Sequence, residues 1–147
     1  MASPPIIEAS MHSEPVRPLG FDPMPPGGAE VVFVGRTRGE SHPSQGKLLY
    51  LDYDAHTEMA AGLLQELAEE AAARWSLSAV RLQHAEGIVR VGEASVSIEV
   101  ISGHRIKGFE ACRWLIDTLK SRVPIWKQEV WVDGTTWVDG TPVTEEA

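Results

Sequence analysis

Residues 102–129 read SGHRIKGFEACRWLIDTLKSRVPIWKQE, and the rest of the sequence is organised around them. The stretch carries six lysines and arginines against three acids, in a chain of 147 residues whose formal net charge is −8. Such a cationic cluster costs free energy through self-repulsion, and it concentrates anions. Two interpretations follow. The stretch is either a solvated helix with a basic last turn, or an anion-binding pocket in which one lysine does chemistry.

The middle of this stretch has the period of an amphipathic helix. Its apolar stripe consists of Phe109, Cys112, Ile116, Leu119 and Val123. Pro124 ends the helix, because proline has no N–H to donate and disfavours helical geometry in the residue before it. Lys120 flanks the stripe, and Lys127 follows the break. His104 and Arg105 stand at the helix start, where unpaired N–H groups favour an anion.

The length and composition of the chain limit what kind of protein it can be. Hydrophobic content of 43% and charged content of 23% are typical of a soluble globular chain, and we predict a single domain over residues 1–147. No apolar run is long enough to span a membrane, and no basic-then-apolar leader is visible, so we expect a cytoplasmic protein. The acidic balance argues against nucleic-acid binding. A lone cysteine, Cys112, excludes an internal disulfide and a multi-cysteine metal site.

The remaining chain predicts strands around two helices. The proline-rich segment 1–25 is either a disordered arm or, through Ile6 and Ile7, the carrier of a short edge strand. Strands are predicted at 31–34, 47–54, 79–84, 88–91 and 95–101, and a hairpin at 129–137. The last three strands before the cationic stretch indicate an antiparallel meander. Because regular βαβ alternation is absent, we predict an α+β fold, with helices packed on a largely antiparallel sheet.

The first predicted helix covers residues 58–75, with Thr57 as its N-cap. Its expected apolar stripe is Met59, Leu63, Leu67, Ala71 and Trp75. Nothing in this helix suggests catalysis. The segment Gly35-Arg36-Thr37-Arg38-Gly39, which follows the strand at 31–34, is more suggestive. Two arginines between glycines either present guanidinium groups to an anion or form an exposed, solubilising turn.

Six blocks of the sequence resemble the large (catalytic) subunit of molybdopterin synthase. They are FVGRTR (33–38), LDYDAH (51–56), VGE (91–93), SGHR (102–105), FEA (109–111) and LKSRVPIWKQE (119–129). The blocks fall in the family's order and at its spacing, and the last is the most specific. By this resemblance the fold also includes a small antiparallel β subdomain, in an α/β-hammerhead-like arrangement.

The resemblance implies an activity. In that family the enzyme converts cyclic pyranopterin monophosphate to molybdopterin. The two sulfurs come from the C-terminal Gly-Gly thiocarboxylate of a small ubiquitin-like subunit, and neither a metal nor another cofactor is required. Lys120 and Lys127 are implied as catalytic residues. The implied substrate site comprises Arg36, Thr37, Arg38, His104, Arg105, Lys120, Lys127, Gln128 and Glu129.

The residue types suit this chemistry. A pterin phosphate and a thiocarboxylate are both anions, and guanidinium groups match phosphate oxygens. A lysine crowded by other cations loses its proton more easily, so it can act as base, acid or nucleophile. Two alternatives remain: a catalytically silent scaffold for a ubiquitin-like partner, and a phospho-ligand- or RNA-binding α+β domain.

The resemblance also implies a homodimer with one small subunit at each end, a heterotetramer. The hairpin 129–137 gives an independent hint through Trp131 and Trp137, which either cover a subunit contact or cap this chain's own sheet. The family commonly has His-Arg-x-Gly where this chain reads HAEG at 84–87, and an arginine where it reads DGT at 139–141. For His84 itself we predict a structural hydrogen bond.

Overall fold

The computed structural model describes residues 3–137, which form two helices and nine strands. In chain order they are β1 (Ile6–His12), β2 (Ala29–Arg36), β3 (Ser41–His42), β4 (Gly46–Ala55), α1 (Thr57–Trp75), β5 (Ala79–Ala85), β6 (Gly87–Arg90), β7 (Ala94–Ser102), α2 (Arg105–Arg122), β8 (Ile125–Trp131) and β9 (Gly134–Trp137). No helix among these residues is long and apolar enough to cross a membrane. The segment 139–141, which reads DGT where the family commonly has an arginine, lies outside the described residues.

Two sheets share the chain. The larger has the order β1-β5-β7-β2; β1 runs parallel to β5, and the other pairs are antiparallel. α1 and α2 contact each other and this sheet. The smaller sheet has the order β3-β4-β8-β9, with β6 also paired to β4, and all its pairs are antiparallel. The predicted α+β fold with a small antiparallel unit is confirmed.

The predicted meander is wrong. β5 pairs directly with β7, while β6 leaves the larger sheet and joins β4 in the smaller one. The break lies at Gly87, whose φ of +80° is a backbone conformation that only glycine adopts without cost. This switch brings the end of β5 close to the smaller sheet.

Both helices bury part of the predicted stripe, namely Leu67, Ala71, Cys112, Leu119 and Val123, together with part of an adjacent one. α1 buries Ala60, Leu64, Leu67, Ala68, Ala71 and Ala72, whereas Met59 is 53% exposed. α2 buries Gly108, Ala111, Cys112, Leu115, Thr118 and Leu119, whereas Phe109 is 61% exposed. A Cβ at residue 108 would lie 2.8 Å from the Ser102 hydroxyl oxygen, so only glycine lets α2 approach the larger sheet this closely. The N-cap of α1 is His56, one residue before the predicted Thr57.

Within the N-terminal segment, residues 6–12 form β1 at the edge of the larger sheet, so the edge-strand alternative is correct. After β1 the chain covers the polar face of the larger sheet. There the buried Glu99 carboxylate accepts hydrogen bonds from the amides of Leu19 and Gly20, at 3.1 and 2.7 Å. Its other oxygen lies 3.1 Å from the Arg81 guanidinium. This ion pair therefore fastens residues 19–20 to the sheet.

The hairpin β8–β9 divides its two tryptophans. Trp131 is 5% exposed and lies 5.3 Å, ring to ring, from His42 of β3, so it belongs to this chain's own interior. Trp137 is 69% exposed. Of the two interpretations of this hairpin, capping of the chain's own sheet is right for Trp131.

Candidate functional site

A narrow cleft lies between the loop that follows β2 and the inner face of the smaller sheet. Its lining residues are Thr37, Arg38, Glu40, Leu48, Leu51, Lys127 and Glu129. Four of the predicted substrate-site residues are in this set: Thr37, Arg38, Lys127 and Glu129. The cleft encloses about 20 Å³, the room of about one water molecule. A pterin is larger than this enclosed space.

Strand pairing places Lys127 on the cleft wall. On β8 it stands opposite Tyr53 of β4, and Glu129 stands opposite Leu51. Successive strand residues point to opposite faces, so Lys127 and Glu129 share the inner face, while Gln128 points away from it. Lys127 is 5% exposed. The predicted site residue Gln128 is therefore not on the cleft face.

The hairpin fixes the orientation of Glu129. Its carboxylate accepts a hydrogen bond from the Thr136 hydroxyl at 3.0 Å, and that hydroxyl oxygen in turn accepts one from the Trp131 indole N–H at 2.8 Å. Trp131 is itself buried. A side chain anchored in the core thus holds this acid at the edge of the cleft.

Three polar residues at the end of β2 and in the loop after it make different contacts. Thr37 is 1% exposed and donates its hydroxyl proton to the Val89 carbonyl, so its side chain fastens the loop to β6. Arg36 donates to the Gly92 carbonyl at 3.0 Å, beside the β6–β7 turn. Arg38, at 3.6 Å from Glu40, remains 63% exposed in its side chain. Of the two arginines, Arg38 is the one that lines the cleft, so its guanidinium group can meet an anion there.

Lys120 lies at the same end of the molecule. α2 ends at Arg122 and β8 begins at Ile125, so Lys120 and Lys127 flank one short connection. The last turn of α2 also lies near the loop after β2, because β7 begins beside Arg36 and α2 returns antiparallel to β7. This end of the fold therefore collects the two lysines and Arg38.

His104 and Arg105 lie at the opposite end. His104 is the N-cap of α2, and sixteen helical steps of 1.5 Å separate it from Lys120 by about 24 Å. The pairing of β2 with β7 gives the same separation. Ala29, at the start of β2, pairs with Ser102, two residues before His104, whereas Arg36, at the other end of β2, pairs with Ala94. Within one chain, the nine predicted site residues do not form one site.

Two buried side chains beside Lys127 were not assigned to the site from sequence. Tyr53 is 3% exposed and His84 is 2% exposed, and their rings meet edge to face with centroids 5.3 Å apart. His84 carries the predicted structural hydrogen bond, from Nδ1 to the Ala85 carbonyl at 2.8 Å. The available signals were the blocks LDYDAH and HAEG, which contain these residues without indicating that they meet.

Burial dominates the protonation of this region. It holds the pKa of His84 at about 4; the bond to Ala85 opposes this shift and the positive charge of Lys127 adds to it. Burial also raises the pKa of Tyr53, against a hydrogen bond with Ser95. Elsewhere, burial raises the pKa of the Cys112 thiol to about 11, as expected for a cysteine in the protein core.

Within residues 3–137, no three His, Cys, Asp or Glu side chains cluster so as to hold a metal ion.

Known proteins resemble this chain over most of its length. A model of the MoaE protein family matches residues 8–122. The molybdopterin synthase catalytic subunit of Arabidopsis thaliana is 37% identical over 142 residues, covering 96% of this chain and 70% of the plant protein. That of Thermoplasma volcanium is 41% identical over 110 residues, covering 75% of this chain and 79% of the relative.

Solved structures agree. The chain superposes on molybdopterin synthase from Staphylococcus aureus with a TM-score of 0.77 and 29% identity, covering 88% of this chain and 96% of that one. It also shares its fold with a chain in a complex of subunits 1 and 2 of the molybdopterin-converting factor from Helicobacter pylori, with a TM-score of 0.64 and 21% identity over 76% of this chain and 72% of that one. The predicted family is thus confirmed, and the chain belongs to the MoaE protein family, whose curated relatives are molybdopterin synthase catalytic subunits.

Proposed function

We propose that this chain is the catalytic subunit of a molybdopterin synthase and works in the cytoplasm. It converts cyclic pyranopterin monophosphate to molybdopterin. As a sulfurtransferase, it takes two sulfurs in turn, one from the C-terminal thiocarboxylate of each of two small ubiquitin-like subunits that bind in succession and leave as carboxylates. The observation that carries the proposal is the placement of a buried Lys127 and an accessible Arg38 on one cleft, with Lys120 at the same end of the fold.

The roles follow from accessibility and chemistry. Arg38 binds the substrate phosphate, because an exposed guanidinium group offers a planar fork to its oxygens. Lys127 stabilises anionic charge from the wall of the cleft, where low water content strengthens electrostatic attraction. Lys120, half-buried at the end of α2, exchanges protons with the reacting groups. Sulfur arrives already activated as a thiocarboxylate, so no metal is needed for this step.

A second copy of the chain completes the site. His104 and Arg105 cannot meet Lys120 within one chain, since α2 holds them about 24 Å apart. A two-fold dimer that places the start of one α2 beside the end of the other brings all the cations together. It also builds the larger pocket that the narrow cleft lacks. With one small subunit on each site, the assembly is a heterotetramer.

The dimer is tested by complementation. Lys120→Ala and His104→Ala should each be inactive alone, because each removes a part of every site. Mixing equal amounts with exchange of subunits should restore about a quarter of wild-type activity, since half the dimers are hybrid and each hybrid has one intact site. Mixtures that stay inactive although mass spectrometry shows hybrids would contradict a shared site.

The activity itself is tested by reconstitution. The chain is mixed with a thiocarboxylated small subunit and cyclic pyranopterin monophosphate, and a dithiolene product is measured. The matched control is the same small subunit ending in an ordinary carboxylate. Binding without product would favour the scaffold alternative. Binding of neither would favour an unrelated phospho-ligand-binding domain. Rising salt should weaken tail binding, because the proposed contacts are ionic.

A further inference from the structure

Lys127, Tyr53 and His84 form a continuous buried row that crosses from the smaller sheet to the larger. Lys127 and Tyr53 are paired residues on β8 and β4, and they share the inner face of the smaller sheet. Tyr53 then meets the ring of His84, at the end of β5, with centroids 5.3 Å apart. All three side chains are at most 5% exposed. The row joins a proposed catalytic lysine to a buried imidazole that the proposed reaction does not use.

The hydrogen bonding of His84 defines its tautomer. A carbonyl oxygen accepts, so Nδ1, 2.8 Å from the Ala85 carbonyl, carries the proton. In the neutral ring Nε2 is then an acceptor. A second positive charge in this row would repel the Lys127 ammonium, whereas a neutral ring with an acceptor tolerates it. The low pKa of His84 agrees with a ring that stays neutral through the physiological range.

We propose that His84 is a positioning residue for the sulfur-transfer reaction: its ring, held by Ala85 and packed edge-on against Tyr53, fixes the Lys127 side chain on the cleft wall. The inference rests on the proposed function, because it assigns a task to Lys127. It does not make His84 a catalytic residue, since the ring is buried behind the row and does not reach the cleft lining.

Two substitutions of His84 test separately the Nδ1 donor and the distal half of the ring. Asparagine places an amide N–H where Nδ1 lies, so His84→Asn keeps a donor for Ala85 but loses the distal half of the ring. Glutamine is one bond longer, so His84→Gln refills part of the space that the ring occupies beside Tyr53 and places an acceptor near the position of Nε2. Gln83→Ala is the matched control. Gln83 precedes His84 on β5, is 4% exposed, and donates to the Arg17 carbonyl on the opposite face of the sheet.

The expected result is a change in kcat with little change in KM for the small subunit. His84→Asn should lower kcat between about ten- and a hundredfold, the effect of displacing a reacting group by about 1 Å, and His84→Gln should recover most of it. Gln83→Ala should lower the melting temperature without lowering kcat at a temperature where it is folded. Equal kcat losses in His84→Asn and Gln83→Ala, or an unchanged kcat in His84→Asn, would overturn the inference.

Crystal structures of the variants give a second readout that does not depend on turnover. Lys127 should leave its wild-type position in His84→Asn and keep it in His84→Gln; an unmoved Lys127 in His84→Asn would overturn the positioning role. If the wild-type chain forms no dithiolene product, the proposed function fails. The crystallographic comparison still decides whether His84 positions Lys127.

Discussion

Two buried charged clusters in this fold serve opposite purposes. On the larger sheet, Glu99 is fully buried, and two backbone amides and the Arg81 guanidinium group contact its carboxylate. Arg81 also donates to Glu8 at 2.7 Å and to the Gly20 carbonyl at 2.6 Å. On the smaller sheet, Lys127 stands beside a tyrosine and a neutral histidine at the wall of a cleft. The first cluster is covered by the N-terminal segment, whereas the second lines the cleft at which we propose that the substrate binds.

The difference shows how a buried charge is to be interpreted. A charge whose partners come from several segments of its own chain ties those segments together, and its removal costs stability. A charge that lines an open cleft, as Lys127 does, lies where a group from outside the chain can approach it. Substitutions in the two clusters should therefore separate stability from turnover.

The largest expected effect is on turnover. Lys120→Ala should lower kcat by about 10²–10⁴-fold, the usual contribution of a proton-transferring side chain. It should change the free energy of unfolding by less than about 0.5 kcal/mol, because Lys120 flanks the buried face of α2 and opens no cavity. Lys107→Ala, an exposed lysine on the same helix, is the control and should retain activity. Full turnover in Lys120→Ala would remove it from the site.

Glu99→Gln should act on stability alone. It leaves Arg81 partly unpaired in the interior, which costs about 3–5 kcal/mol of unfolding free energy in urea denaturation. Its kcat should equal that of the wild type where both are folded. The same guanidinium offers a matched control: Glu8 is 53% exposed in its side chain, so Glu8→Gln should cost at most about 1 kcal/mol. If Glu99→Gln and Glu8→Gln lowered the unfolding free energy equally, burial would not determine how much each carboxylate contributes to stability.

The smaller effect is the acid sensitivity of the second cluster. The unfolded chain protonates His84 as pH falls below about 6.5, whereas the folded pKa is about 4, so stability is lost across this window. Between pH 7 and pH 5 the loss from this group is about 2 kcal/mol. His84→Gln lacks this contribution, so the difference in unfolding free energy between it and the wild type should change by that amount. A pH-independent difference would show that folded His84 titrates normally.

Local sequence was sufficient for several elements. The period of residues 105–122 and the stop at Pro124 correctly predicted α2, and the Asp133-Gly134 signal correctly predicted the β8–β9 hairpin. The buried helix faces were predicted only in part: Leu67 and Cys112 are buried, but Met59 and Phe109 are exposed. Adjacent positions such as Met59 and Ala60 are both apolar. Periodicity alone does not say which of two apolar stripes meets the sheet. Packing selected the face with the smaller residues.

By itself the sequence determined the family, the α+β class, and the cations that gather around α2. The sequence also predicted how long α2 is, and therefore that His104 and Lys120 lie far apart in one chain. The matching blocks, by contrast, suggested that these two residues share one site. Only the tertiary structure decided that β6 joins β4 and that Tyr53 lies between Lys127 and His84. The reason is physical: Tyr53 meets residues 31 and 74 positions away through sheet packing and strand pairing. The whole core selects such contacts, not local propensity.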